Sequence, residues 1–169
     1  MITRTVLCDT DTLFHNIRDG KSENERHALK KLLEMRASGH LVLRRSQVNR
    51  VEVANTKNKE QRDKLEADYM ALDPVAKEEN VSGFQCIPGP SGSFISNPVS
   101  DLDSTAYKEC RERGLKERDT LHILRAVENA CDVFLTRDKG IIKRRQWLEE
   151  RFPGLKIRLP SELVAELVA

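Results

Sequence analysis

The chain has 169 residues, with 29 Lys and Arg against 27 Asp and Glu, a formal charge of +2. That length suits one domain, residues 1–169, and 38 % hydrophobic residues suffice for a core beneath a heavily ionised surface. No run approaches the roughly 20 apolar residues that cross a bilayer, which argues against an integral membrane protein. Met1-Ile2-Thr3-Arg4 leads directly into an apolar segment without the features of a secretory signal, so a cytoplasmic protein is expected. Cys8, Cys86, Cys110 and Cys131 are scattered, with no CxxC pair and no His at zinc-ligand spacing. They argue against a zinc site or a disulfide scaffold, and Cys8 and Cys131 read as small core residues.

In chain order, Thr3–Cys8 carries Val6, Leu7 and Cys8 and reads as a buried strand. Ser22 with Glu25 forms a capping-box signature, after which Ala28, Leu29, Leu32 and Leu33 recur at helical spacing until Gly39. His40–Leu43 reads as a second strand, and Ser46 as the cap of a helical segment through Val48, Val51 and Glu52. Lys57–Glu79 reads as one long helix with Leu65, Tyr69 and Leu72 inward. From 82 to 100, glycines, prolines and serines concentrate into a surface loop, in which Phe84–Ile87 retains strand character.

A helix is then expected from Asp103 to Arg113, closed by Gly114, and another that Asp119 opens, with Leu121, Leu124, Ala126 and Val127 on its apolar face. Val133–Leu135 reads as a strand, Ile141–Arg151 as a helix, Leu155–Leu159 as a strand, and the segment after Ser161 as a terminal helix. Alternation of strands and helices implies a three-layer α/β/α sandwich around a mainly parallel sheet of about five strands.

Open parallel sheets bind ligands beyond the carboxyl ends of their strands. Asp9 follows the first strand directly, Asp138 lies just past Val133–Leu135, Asp119 stands before that strand, and Glu52 follows the second. Each has a structural alternative: Asp9, Asp11 and Asp119 as helix caps, Asp138 as a turn residue and Glu52 as a surface residue. Gathered together they would raise their own pKa values or need a cation, because two carboxylates about 4 Å apart repel by roughly 4 kcal/mol at an effective dielectric near 20. Oxygen-only ligands suit Mg²⁺ or Mn²⁺. The basic clusters Arg44-Arg45, Arg111 to Arg118 and Lys143-Arg144-Arg145 each read, singly, as solvated faces. Trp147 falls at helical spacing after Ile142 and reads as a packing residue.

Taken in order, Val6-Leu7-Cys8-Asp9-Thr10-Asp11-Thr12-Leu13, Glu52, Arg118-Asp119-Thr120-Leu121-His122-Ile123-Leu124 and Val133-Phe134-Leu135-Thr136-Arg137-Asp138 resemble the PIN-domain ribonucleases. The resemblance covers nearly the whole chain, with little from Asp63 to Lys116. It implies a metal-dependent endoribonuclease in which Asp9 and Asp119 are the main ligands of Mg²⁺ or Mn²⁺. Asp138 would be a direct or water-mediated ligand, and Glu52 a ligand or water-orienting group. Thr136 would hold the acids or their water. Arg137, Lys139 and Lys143, which flank this group, are the candidate RNA contacts. Short members of the VapC type are toxins, often dimeric and silenced by an antitoxin, so an antitoxin partner and a homodimer are further expectations.

Two features depart from the family pattern: Asp11 stands where Asn or Ser is common, and the 82–100 segment is long for a compact toxin. Asp9-Thr10-Asp11-Thr12 also resembles the first motif of haloacid-dehalogenase-type phosphatases, with Asp9 as nucleophile and Asp11 as acid/base. The later paired acids of that family have no counterpart after Lys139. A non-catalytic scaffold that binds RNA or protein is the remaining alternative.

Overall fold

In the computed structural model, residues 3–10, 12, 23–76, 87–88, 94–95 and 105–169 are described. Strand β1 (Arg4–Cys8) lies at the centre of the sheet. Val6, Leu7 and Cys8 are fully buried, as an apolar run covered on both faces should be. β2 (Leu41–Arg45) and β6 (Val133–Leu135) flank it; β3 (Asp73–Pro74) and β7 (Lys156–Arg158) form the edges. The order is β3-β2-β1-β6-β7 and every pairing is parallel. Within the glycine- and proline-rich segment, β4 (Ile87–Pro88) pairs antiparallel with β5 (Phe94–Ile95).

The pleat sends alternate side chains to opposite faces, and this divides the core in two. Val6, Cys8, Leu41, Leu43, Val133 and Leu135 pack against Leu29 and Leu32 of α1 (Glu23–Ala37), Val53 of α2 (Gln47–Ala54), Leu65 and Tyr69 of α3 (Lys59–Ala71), and Leu163 of the last helix. Leu7, Phe134 and Ile157 face Cys110 of α4 (Thr105–Glu112) and Ile123 and Ala126 of α5 (Glu117–Glu128). They also meet Ile141 of α6 (Lys139–Ile142) and Leu148 of α7 (Arg145–Arg151). The architecture is the three-layer α/β/α sandwich that the alternation implied. Cys8 and Cys131 belong to this core, where burial pushes the Cys8 thiol far up and that of Cys131 to about 11. Trp147 packs against the second cluster beneath the Arg113 guanidinium.

Several boundaries differ from the sequence reading. The helix expected over 57–79 ends at Ala71, and Leu72 is extended at φ −91° and ψ 153°. Pro74 disfavours helical backbone at Asp73, so the two residues pair with Arg44 and Arg45 of β2 instead. The helix expected over 141–151 is two helices, α6 and α7, interrupted at Arg144 (φ −105°, ψ 4°). The Arg144 side chain donates to the carbonyls of Arg113 at 2.5 Å and Gly140 at 2.8 Å. Gly114, at φ +79°, closes α4 against that guanidinium, and a Cβ there would lie 2.8 Å from Arg144 Nη2. The second strand runs two residues past its expected end, and the strand expected over 155–159 is confined to Lys156–Arg158. Leu33 is 41 % exposed, outside the apolar face assigned to it. Helix α8 (Pro160–Val168) starts before Ser161, with Pro160 in its first turn and Glu162 accepting from the Leu159 N–H at 3.0 Å. The Ser22 cap, Asp11, Phe84 and Asp103 lie outside the described residues, as does most of 82–100. Among the described residues, no helix is long and apolar enough to cross a membrane.

The β7 edge is covered by a charged clasp rather than by another strand. Glu149 of α7 accepts from the Ile157 N–H at 2.9 Å and from Arg158 at 2.6 Å, and Arg158 also reaches Glu166 of α8. Burial pushes the Glu149 carboxyl up, but the Ile157 amide and Arg158 outweigh it, leaving its pKa below the ordinary 4.5. Glu166 is lowered in the same way by Arg158 and Arg4. This stabilisation is complete above pH 4.5 and is lost as pH falls through the depressed values. Glu149→Gln should cost about 1–2 kcal/mol at pH 7. The gap to wild type should narrow toward pH 3, as read by urea denaturation at both pH values.

Candidate metal centre

β1 is where strand order reverses: successive connections run to β2 and β3 on one side and to β6 and β7 on the other. A crevice is therefore expected beyond the carboxyl ends of β1 and β6. Asp9, the first residue after β1, is 7 % exposed, and its N–H donates to Leu135 O of β6 at 2.9 Å. Thr136, the first residue after β6, is fully buried. Its Oγ1 donates to Asp9 Oδ2 at 2.7 Å and accepts the Asp138 N–H at 3.0 Å. One hydroxyl thus joins the ends of both strands.

Asp138 caps α6: its Oδ1 accepts from the N–H groups of Gly140 at 2.6 Å and Ile141 at 3.0 Å. Glycine at 140 permits the close approach, since a Cβ there would sit 2.8 Å from the same oxygen. Asp119, expected to open α5, lies in its first turn behind the N-cap Lys116. Burial and the neighbouring Asp138 charge raise its pKa, against smaller opposing effects of Lys116 and His122. The two carboxylates share one field.

Glu52 comes from the opposite layer, on α2, by way of a polar relay. The Ser46 N–H and Oγ both donate to Asn49 Oδ1, at 2.8 and 3.2 Å. Asn49 Nδ2 donates in turn to Cys8 O at 3.1 Å and Thr10 Oγ1 at 2.8 Å. The Thr10 hydroxyl bonds the Glu52 carboxylate. Asn49 is fully buried, so this relay locks α2 onto the end of β1.

His122, one turn beyond Asp119, completes the cluster. Its Nε2 donates to Glu52 Oε2 at 3.1 Å and lies 3.9 Å from Asp9 Oδ1. Donor atoms of Asp9, Glu52 and His122 all fall within 4.8 Å of one another. Burial disfavours the imidazolium, but the Glu52 bond and the charges of Asp9, Glu52 and Asp119 prevail, and the His122 pKa rises above 6.5. Burial likewise lifts Glu52, and the bonds from His122 and Thr10 more than reverse it.

Thr136 bonds both Asp9 and Asp138, Glu52 and Asp9 face His122, and Asp119 lies within electrostatic reach of Asp138 and His122. The innermost donor set differs from the expected oxygen-only group, because it contains the His122 imidazole. Two carboxylates and a nitrogen converging in a buried crevice fit a divalent cation in charge and in donor type. Arg137 is half-buried between Thr136 and Asp138, while Lys139 and Lys143 are exposed at the two ends of α6. His122, Asn49 and Thr10 escaped the sequence reading. His122 stands three residues after Asp119 and Asn49 three before Glu52, a spacing that shares a helix face and was available as a signal.

No family model matches the sequence, and no curated protein does. Among solved structures, the fold is similar to that of a chain in the crystal structure of VapBC2 from Rickettsia felis bound to a DNA fragment from their promoter. The TM-score is 0.56 at 16 % identity, over 91 % of this chain and 97 % of that one. At that identity the likeness is one of fold.

Two measurements check the site. Thr136→Val keeps the volume but removes one donor from the Asp9 carboxylate and the acceptor of the Asp138 amide, and should cost about 1–3 kcal/mol in denaturation. In metal-free protein, the His122 ring should titrate above 6.5 by NMR, and Glu52→Gln should bring it down. Stability from this pair is complete at pH values between 4.5 and 6.5. It is lost on the acid side as Glu52 protonates and on the alkaline side as His122 deprotonates.

Proposed function

We propose that the chain is a metal-dependent endoribonuclease of the PIN type, hydrolysing RNA phosphodiester bonds in the crevice between β1 and β6. The observation that carries this reading is the convergence of Asp9, Glu52 and His122 within 4.8 Å where strand order reverses, with the Asp119 charge acting on His122 and that of Asp138 on Asp119. Concentrated carboxylates weaken a fold unless positive charge compensates them, and they suit the divalent ions that assist phosphodiester hydrolysis. Asp9 and Asp119 would hold the ion, with Asp138 and Glu52 binding it directly or through water. When bound, Mg²⁺ or Mn²⁺ lowers the pKa of a water and offsets charge developing on the phosphate.

The chain's own groups do the rest. Thr136 keeps Asp9 oriented, the Ser46–Asn49–Thr10 relay keeps Glu52 in the crevice, and Arg137, Lys139 and Lys143 receive backbone phosphates. A protein partner of the antitoxin kind belongs to the same reading, supported by the fold shared with a VapBC2 chain, as does a homodimer. A phosphatase with Asp9 as nucleophile leaves Glu52, His122 and Asp119 without a task, and a non-catalytic scaffold leaves the gathered acids unexplained.

The purified protein should cleave single-stranded RNA in Mn²⁺ or Mg²⁺ and stop in EDTA. Asp9→Asn and Asp119→Asn should each lower the rate by about 100-fold or more. Phosphomonoesterase activity lost in Asp9→Asn, with RNA untouched and Asp119→Asn active, would instead establish the phosphatase. Lys139→Gln with Lys143→Gln should weaken RNA binding and flatten its salt dependence, the log–log slope falling by about one for each phosphate no longer neutralised.

A further inference from the structure

Resting on the metal-dependent reading above, we propose that His122 is itself a ligand in this centre, through Nε2, and that its imidazole makes the centre favour transition-series divalent cations over Mg²⁺. His122 is 1 % exposed, on a helix whose Ile123, Leu124 and Ala126 pack into the core. Its ring lies 6.0 Å from that of Phe134, tilted by 37°. Its Nε2 points toward Glu52 Oε2 at 3.1 Å and Asp9 Oδ1 at 3.9 Å. Nδ1 is buried and has no hydrogen-bond partner among the described residues. Ligation through Nε2 requires the neutral ring with its proton on Nδ1. What carries the assignment is Nε2, which faces one carboxylate oxygen of Glu52 and one of Asp9.

The separations are those of donors to a common ion. Two ligands each about 2.1 Å from one ion stand roughly 3.0 Å apart at right angles and roughly 4.2 Å apart when opposed. Both His122 distances fall in that interval. The nitrogen then decides selectivity. Mg²⁺ takes oxygen donors and gives up its waters reluctantly, whereas affinity for a mixed nitrogen and oxygen site rises along the first-row series from Mn²⁺. Mn²⁺, the weakest of that series, is the most demanding probe.

The test is calorimetry of the EDTA-treated full chain with MnCl₂ and with MgCl₂ at pH 8. It is paired with pulsed EPR of Mn²⁺ bound to protein labelled with ¹⁵N-histidine. Wild type should bind Mn²⁺ at least about 10-fold more tightly than Mg²⁺ and show ¹⁵N coupling. His122→Gln should lose the coupling and most of the preference, while Mg²⁺ affinity changes by less than about 3-fold. His122→Asn substitutes if the glutamine variant does not fold, as judged by circular dichroism. Bound Mn²⁺ without ¹⁵N coupling, or an unchanged Mn²⁺/Mg²⁺ ratio in the variant, overturns the inference and leaves a metal centre in which His122 only holds Glu52. Failure of wild type to bind either ion overturns both this inference and the metal-dependent nuclease.

Discussion

The hydrogen bond from Thr136 Oγ1 to Asp9 Oδ2, 2.7 Å long, joins the first residues beyond β1 and β6, and the rest of the crevice is placed from that junction. It exists only because β1 and β6 are parallel and paired in register, Val6 with Val133 and Cys8 with Leu135. A slip of one residue would turn Asp9 and Thr136 to opposite faces and carry Val6 and Cys8 out of their core cluster. The apolar alternation that fills the core and the polar pair that opens the site are therefore one constraint. Because Thr136 Oγ1 also accepts the Asp138 N–H, the same hydroxyl sets the start of α6.

The electrostatics follow from bringing groups of one sign together from different layers. Asp119 is raised by burial and by Asp138, while Glu52 is lowered because His122 and Thr10 bond to its charged form. His122 is raised by the same neighbours. When protonated, the His122 imidazole offsets part of the charge of these acids. Lys116 and Arg118, at the amino end of α5, add further positive potential at Asp119 and Glu52.

The scaffold around the crevice is secured by polar ties between helices and strand edges. Ser161, at the start of α8, bonds to Glu25 of α1 through both its N–H and its hydroxyl, at 3.0 and 2.5 Å. Glu149 occupies the outward amide of β7, and Arg158 links that clasp to Glu166. Such ties matter because β6 and β7 are only three residues long, too short for backbone pairing alone to hold them.

The sequence by itself determined the layered α/β architecture, since apolar runs at strand length alternating with helical periodicity admit few other arrangements. It also placed Asp9 and Asp138 beyond the ends of apolar strands, where the carboxyl rim of a parallel sheet lies. The end of the third helix was legible in Pro74 but was outweighed by the helical spacing of Leu65, Tyr69 and Leu72. Only the tertiary structure decided that His122 and Asn49 belong to the site. Along the chain, a histidine among Leu121, Ile123 and Leu124 looks like a core residue. Its role emerges when α2 and α5, packed on opposite faces of the sheet, reach over the end of β1 and bring Glu52 within 3.1 Å of its ring. That distance spans 70 residues of chain, and local propensity carries no information at such separation.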